Sequence, residues 1–243
     1  DTAGNFTPVM RNLDELAGAT AYLGDLDGAG PSVSAMAIGA SVDDDGGFDR
    51  GAVYITFLAA NGTVLSSKKI SDIVNFPGSP LDDADEFGSS IAFLGDLDGA
   101  GPSVGAIAVG AIGDDDGGIG PGAVYILFLA ADGTVLSWQK ISDTVNFPGS
   151  PLDALDEFGG SVANLGDLDG AGPSTRAIAV GSLLDDDGGT DRGAVYILFL
   201  DPGETVLSSA KISDLVNFAG TPLDNSDNFG GSVASLGDLG IDH

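Results

Sequence analysis

Cysteine is absent from the 243-residue chain, so it can form neither disulfides nor thiolate metal sites. Histidine occurs once, as the last residue, His243. That excludes Ser-His and Cys-His nucleophilic machinery and ordinary histidine-rich zinc sites, and it leaves carboxylates as the only abundant reactive groups. Basic residues are scarce, 8 against 37 acidic ones, for a formal net charge of −29. Such a surface repels phosphate backbones and anionic lipid, so neither nucleic acid nor a polybasic membrane contact is an expected partner. Divalent cations, basic partners and a salty exterior are compatible with it. No apolar run approaches the ~20 residues that span a bilayer, so membrane insertion is not expected. The initiator Met and a signal peptide are also missing; a chain starting at Asp1 reads as a processed product, which favours an extracellular or cell-surface location. The sequons at Asn5 and Asn61 are glycosylation candidates in that setting.

What is present is a repeat. Gly24, Gly95, Gly166 and Gly237 each open a GDL, and Gly51, Gly122 and Gly193 each open a GAVYI, always 71 residues apart. Three full copies cover 1–71, 72–142 and 143–213, and 214–243 supplies the opening of a fourth. With 43% hydrophobic residues the chain has the material for a core.

Within one copy, runs rich in Val, Ile, Leu and aromatics at 91–97, 106–109, 122–129 and 134–141 are separated by Gly, Asp and Pro clusters, which predicts four strands and an all-β fold. Asn61-Gly62 and Asp132-Gly133 supply hairpin turn chemistry between the third and fourth runs. In 123–129, Val124, Ile126 and Phe128 point one way and Tyr125, Leu127 and Leu129 the other. A sheet that is apolar on both faces must lie between two others, as a propeller blade does. The recurring Tyr54, Tyr125 and Tyr196, and likewise Phe57, Phe128 and Phe199, are expected in the blade core, and Trp138 on the outer strand is expected half-buried.

Phe87-Gly88 or Phe158-Gly159, beginning the strand that leads to GDLDG, then a Gly-Ala pair, then GAVYI is an order that resembles the FG-GAP repeats of integrin α-subunit β-propellers and their bacterial relatives. The resemblance implies four-stranded antiparallel blades, calcium in the loop between the first two strands, and an extracellular adhesive or structural role. The first copy departs from it with Leu16-Ala17 in place of Phe-Gly, and the GAP tripeptide survives only as Gly39-Ala40-Ser41, Gly110-Ala111-Ile112 and Gly181-Ser182-Leu183.

Two carboxylates of the implied calcium loop are retained in each copy, Asp25 and Asp27, Asp96 and Asp98, and Asp167 and Asp169. Alanine stands at the fifth position, as Ala29, Ala100 and Ala171, and at the last ligand position, as Ala35, Ala106 and Ala177. Calcium takes six to eight oxygens and binds more weakly as carboxylates are lost, so at most weak calcium is expected. The alternative is a plain turn in which Asp caps backbone N–H groups. A second acidic run, DDDGG at 43–47, 114–118 and 185–189, is expected to be solvated unless a cation gathers it.

A seven-bladed ring of this repeat takes roughly 500 residues, about twice what is here. Open blade faces are apolar, and they predict association of the chain with itself, through 214–243 and the opening copy. The expectation is therefore a non-enzymatic structural or self-assembly module. The alternative is a calcium-dependent adhesion domain that binds a protein or glycan ligand.

Overall fold

The computed structural model describes residues 16–26, 30, 33–78, 81–96, 104–149, 152–168, 170, 175–218, 220 and 223–237. Twelve strands form three four-stranded antiparallel sheets in which each strand pairs with its sequence neighbours. The first contains β1 (Leu16–Gly24), β2 (Val33–Ala40), β3 (Ala52–Ala59) and β4 (Val64–Ser71). The second contains β5 (Phe87–Gly95), β6 (Val104–Ala111), β7 (Ala123–Ala130) and β8 (Val135–Ser142). The third contains β9 (Phe158–Gly166), β10 (Arg176–Ser182), β11 (Ala194–Leu200) and β12 (Val206–Ile212). No helix is found among the described residues, and none is long and apolar enough to cross a membrane.

The sheets stack face to face, with β1, β5 and β9 adjacent. In the first seam, Val53, Ile55 and Ile70 pack against Ile107, Val109 and Leu127. In the second, Val124, Ile126 and Ile141 pack against Ile178, Val180 and Leu198. Alternate residues of each third strand therefore serve alternate seams, and both faces of the middle sheet are buried. Phe128 and Trp138 are half-buried at the edges of these clusters, and the indole N–H of Trp138 donates to Pro77 O at 2.9 Å.

The expected run 91–97 differs from what is observed: the strand begins at Phe87, four residues earlier, and Leu97 lies outside the described residues. A register shift separates Phe87 from Ile91, because Gly88 adopts a φ of 101° and bulges the strand. Phe87 is held by the preceding repeat: it bridges Gly51 in parallel, and its N–H donates to Arg50 O at 3.0 Å. The run 106–109 extends to 104–111, and the last two strands start one residue later than expected.

The same element explains the paired glycines. A Cβ on Gly110 would overlap the carbonyl oxygen of Gly159, one on Gly39 that of Gly88, and one on Gly181 that of Gly230. Gly39, Gly110 and Gly181 are thus each the landing point for the Phe-Gly glycine of the following repeat. Ser90 and Ser161 hydroxyls donate to Gly159 O and Gly230 O at 2.7 Å, closing the contact. Ala19 stands at the corresponding place in the first repeat.

The opening of the fourth repeat follows this rule only at its start. Phe229 bridges Gly193, and Asn228 Nδ2 donates to Leu183 O at 3.2 Å. Beyond it, contrary to the expected first strand, 231–237 forms no strand. The physical reason is that a first strand is stabilised by its pairing with a second.

Candidate functional site

Antiparallel connectivity sorts the loops onto two edges. In each sheet the loop between the first and second strands and the turn between the third and fourth leave one edge. The loop between the second and third strands and the connection to the next sheet leave the other.

The DDDGG run lies between the second and third strands of each sheet, and its expected solvation is overturned for the leading aspartate. Asp43, Asp114 and Asp185 are buried, at 1–3% exposure. The cation that gathers them is a lysine from the fourth strand of the same sheet. Lys140 Nζ lies 2.5 Å from Asp114 Oδ2 and 2.7 Å from Asp116 Oδ2. Lys69 pairs with Asp43 and Asp45 at 2.7 and 2.5 Å, and Lys211 with Asp185 and Asp187 at 2.7 and 2.8 Å. The recurring tyrosine completes each cluster: Tyr125 and Tyr196 hydroxyls donate to Asp114 and Asp185 at 3.1 Å, and Tyr54 to Asp43 at 3.4 Å. The lysine also lies over the ring of that tyrosine.

Burial alone would lower the pKa of each lysine, but the two carboxylates outweigh it and the ammonium is held charged. A further aspartate from the incoming connection approaches two of the clusters. Asp85 sits within electrostatic reach of Asp114 and Lys140, and Asp156 of Asp185 and Lys211. Burial pushes each of these carboxyls up to about 7, although each accepts a backbone N–H, from Asp82 and Asp153 respectively. The lysines were legible in the sequence: Lys69, Lys140 and Lys211 are three of only eight basic residues and share the 71-residue period. Composition read as a whole hid them.

On the other edge lie the GDLDG loops. Asp27, Asp98 and Asp169 lie outside the described residues, as does Asn5. Asp25 Oδ2 accepts the Gly30 N–H at 3.1 Å, the turn-capping role. Asp167 is exposed, and Asp96 enters the second loop with its backbone oxygen bound by Arg176. Among the described residues no group of three or more carboxylates or imidazoles could hold a metal. Arg176 Nη1 donates to Leu94 O and Nη2 to Asp96 O, both at 2.8 Å. That fixed positive charge does not suit a calcium ion in the second loop. Asn61 is exposed at the β3–β4 turn, where its side-chain oxygen accepts the Thr63 N–H at 3.0 Å.

The second seam contains a carboxylate that the sequence reading did not single out. Glu204 occupies the β11–β12 turn at the position of Gly62 and Gly133, with a φ of 63°. It is 1% exposed and neither carboxylate oxygen has a hydrogen-bond partner. Burial, with Asp201 nearby, raises its pKa from 4.5 to about 7 against the opposing pull of Arg176.

An open hollow of about 320 Å³ is lined by Val33, Phe57, Leu65, Ser66, Ala131 and Asp132, which bring it a single carboxylate. Carboxylate hydrolases of the glycosidase type need two.

No protein-family model matches the sequence, and no curated protein does. Among solved structures the chain is similar to an ACO/RPE65 chimera in its trigonal crystal form, at 10% identity and a TM-score of 0.39, covering 82% of this chain and 38% of that one. A monoclinic form of the chimera gives 12% identity and a TM-score of 0.33, over 74% and 34% of the two chains. The chain thus spans well under half the length of these structures, and likeness at this level carries no argument about its fold or activity. The fold defines the class: an all-β repeat protein of face-stacked four-stranded sheets.

Proposed function

We propose that the chain is a non-enzymatic, extracellular structural module of FG-GAP-like, propeller-type repeats, and that it assembles by stacking its third sheet on a second copy. The observation that carries this reading is the far face of that sheet. Ile55, Ile126, Ile70 and Ile141 are fully buried where the next sheet covers them, whereas their counterparts Ile197 and Ile212 are only half-buried. The aromatic pair changes likewise: Phe76 and Phe87, and Phe147 and Phe158, are buried, but Phe218 and Phe229 are not. Every covered face of this type in the molecule is covered by another repeat. A second copy presents the same surface chemistry, and apolar burial stabilises the contact by ~25 cal/mol per Å².

The perturbed carboxylates Asp85, Asp156 and Glu204 are buried rather than facing an open cleft, which supports a structural role for them. The net charge of −29 opposes assembly through Coulomb repulsion, so association should strengthen with salt, which shortens the screening length to about 3 Å at 1 M. Sedimentation of the protein in 1 M salt is expected to show particles larger than the monomer, and Ile197→Lys, which places a charge on the open face, to return the monomer. A wild-type monomer at high concentration in that salt would rule the reading out.

A further inference from the structure

Where each sheet's DDDGG loop meets the connection to the next sheet, two of the three repeats hold an arginine. In the first repeat Arg50 Nη1 donates to Asp72 Oδ2 at 2.8 Å and to Leu81 O at 2.7 Å, and Nε donates to Asp83 Oδ1 at 2.9 Å. In the third, Arg192 Nη1 donates to Asp214 Oδ2 at 2.6 Å and Nε to Asn225 Oδ1 at 3.2 Å. The second repeat has Pro121 in place of the arginine and Ala154 in place of Asp83 and Asn225, so both members of the outer contact are lost together.

The inner acceptor keeps its place. A Cβ on Gly117 would stand 2.9 Å from Asp143 Oδ2, much as one on Gly46 would stand 2.7 Å from Asp72 Oδ2 and one on Gly188 2.7 Å from Asp214 Oδ2. Asp143 Oδ1 accepts the Leu152 N–H at 3.1 Å, the bond that Asp214 makes with Leu223. The backbone is unchanged as well, since Pro121 O accepts the Phe158 N–H at 2.9 Å and Arg50 O accepts that of Phe87 at 3.0 Å. What differs is the space in front of the carboxylate. A Cβ on Gly47 would overlap Arg50 Nε, and one on Gly189 would overlap Arg192 Nε, whereas one on Gly118 meets nothing within 4 Å. Pro121 therefore leaves the guanidinium's place open. Beside the opening Ile119 and Leu155 are 75% and 56% exposed, and the Leu155 N–H donates to Ile119 O at 2.8 Å.

We propose that this notch of the second repeat takes an arginine side chain from another protein. Among the described residues nothing donates to Asp143 Oδ2 or Leu152 O, the counterparts of the two acceptors that Arg50 Nη1 binds at once. A planar guanidinium meets both with donors to spare, and its methylene stem lies along Ile119 and Leu155; the ammonium of lysine has no such fork. The described arginines of this chain are already engaged, Arg50 and Arg192 in their own notches and Arg176 on Leu94 O and Asp96 O. The net charge of −29 steers a basic partner toward the surface, and the notch selects the side chain.

The test titrates the whole chain, labelled with 15N, with acetyl-Ala-Arg-Ala-amide as the probe. The amide signals of Gly118 and Asp143 should shift and saturate. Asp143→Asn, which keeps an oxygen for the Leu152 N–H but removes the charge, should weaken binding by about tenfold or more. Gly118→Ala places a methyl group where the guanidinium would lie, and should abolish the shifts while leaving the urea midpoint unchanged. Pro121→Arg with Ala154→Asp supplies the arginine from within and should abolish them too. Three results would overturn the proposal: no saturable shift at Gly118, a lysine peptide that binds as well as the arginine peptide, which would mean attraction to the acidic surface at large, or binding that survives Gly118→Ala. The notch lies on a loop edge of the second sheet, away from the open face of the third, so these outcomes are independent of self-association.

Discussion

Replacing Glu204 by glycine should stabilise the protein at pH 8 and destabilise it at pH 4. The carboxyl is buried without a hydrogen-bond partner, and its pKa rises from 4.5 to about 7. A shift of that size corresponds to about 3 kcal/mol between the two protonation states. The sign follows from the raised value. Folding favours the protonated form, so the stability associated with it is complete below pH 4.5 and is lost as pH rises through about 7. Removing the side chain therefore recovers about 3 kcal/mol at pH 8 and nothing at pH 4.

Two further terms are nearly independent of pH. Relief of the left-handed conformation, φ 63°, contributes about 1 kcal/mol. Loss of two buried methylenes costs about 1.6 kcal/mol, and the flexibility of glycine in the unfolded chain adds a few tenths to about 1 kcal/mol. The net expectation is a gain of about 2 kcal/mol at pH 8 and a loss of about 1 kcal/mol at pH 4. Urea unfolding of parent and variant at both pH values measures it. A difference that is the same at the two pH values, or a variant less stable at pH 8, would refute the argument that an ionisable, unpaired carboxyl sits in the seam.

Asp85 and Asp156, also raised to about 7, act in the same sense, so the parent's urea midpoint should be higher at pH 5 than at pH 8. Gly110→Ala should cost about 3 kcal/mol, from the clash with Gly159 O and the weakened Ser90 bond, while Gly118→Ala, which meets nothing within 4 Å, stays within about 0.5 kcal/mol by the same urea assay. Lys140→Met should destabilise by about 3–5 kcal/mol, because Asp114 is left buried without its ammonium, and Asp114→Asn in the same chain should recover part of the loss in thermal unfolding. Ala17→Gly should add about 1 kcal/mol, since Ala17 holds a φ of 74° where the later repeats have glycine.

The 71-residue period, the all-β character and the apolar alternation on both faces of the GAVYI strands are legible in the sequence alone, because strand periodicity and turn chemistry are local properties. So could the placement of Tyr54, Tyr125 and Tyr196 in the core. The strand start at Phe87 was legible only in the Phe-Gly pair of the FG-GAP resemblance and not in the hydrophobic run, which starts at 91: what fixes it is a parallel bridge to Gly51 in the preceding repeat and a glycine bulge, neither of which shows in periodicity. The acidic loops show the same division. Three adjacent aspartates read as a solvated run, yet the ammonium that draws the first of them inside stands 26 residues away in sequence and a strand away in space. Charge counted along the chain cannot reveal charge paired across a sheet. Arg176 and Glu204 are single departures from a repeat, and only the seam between two sheets gives them meaning, because burial and proximity are properties of packed surfaces rather than of residue order.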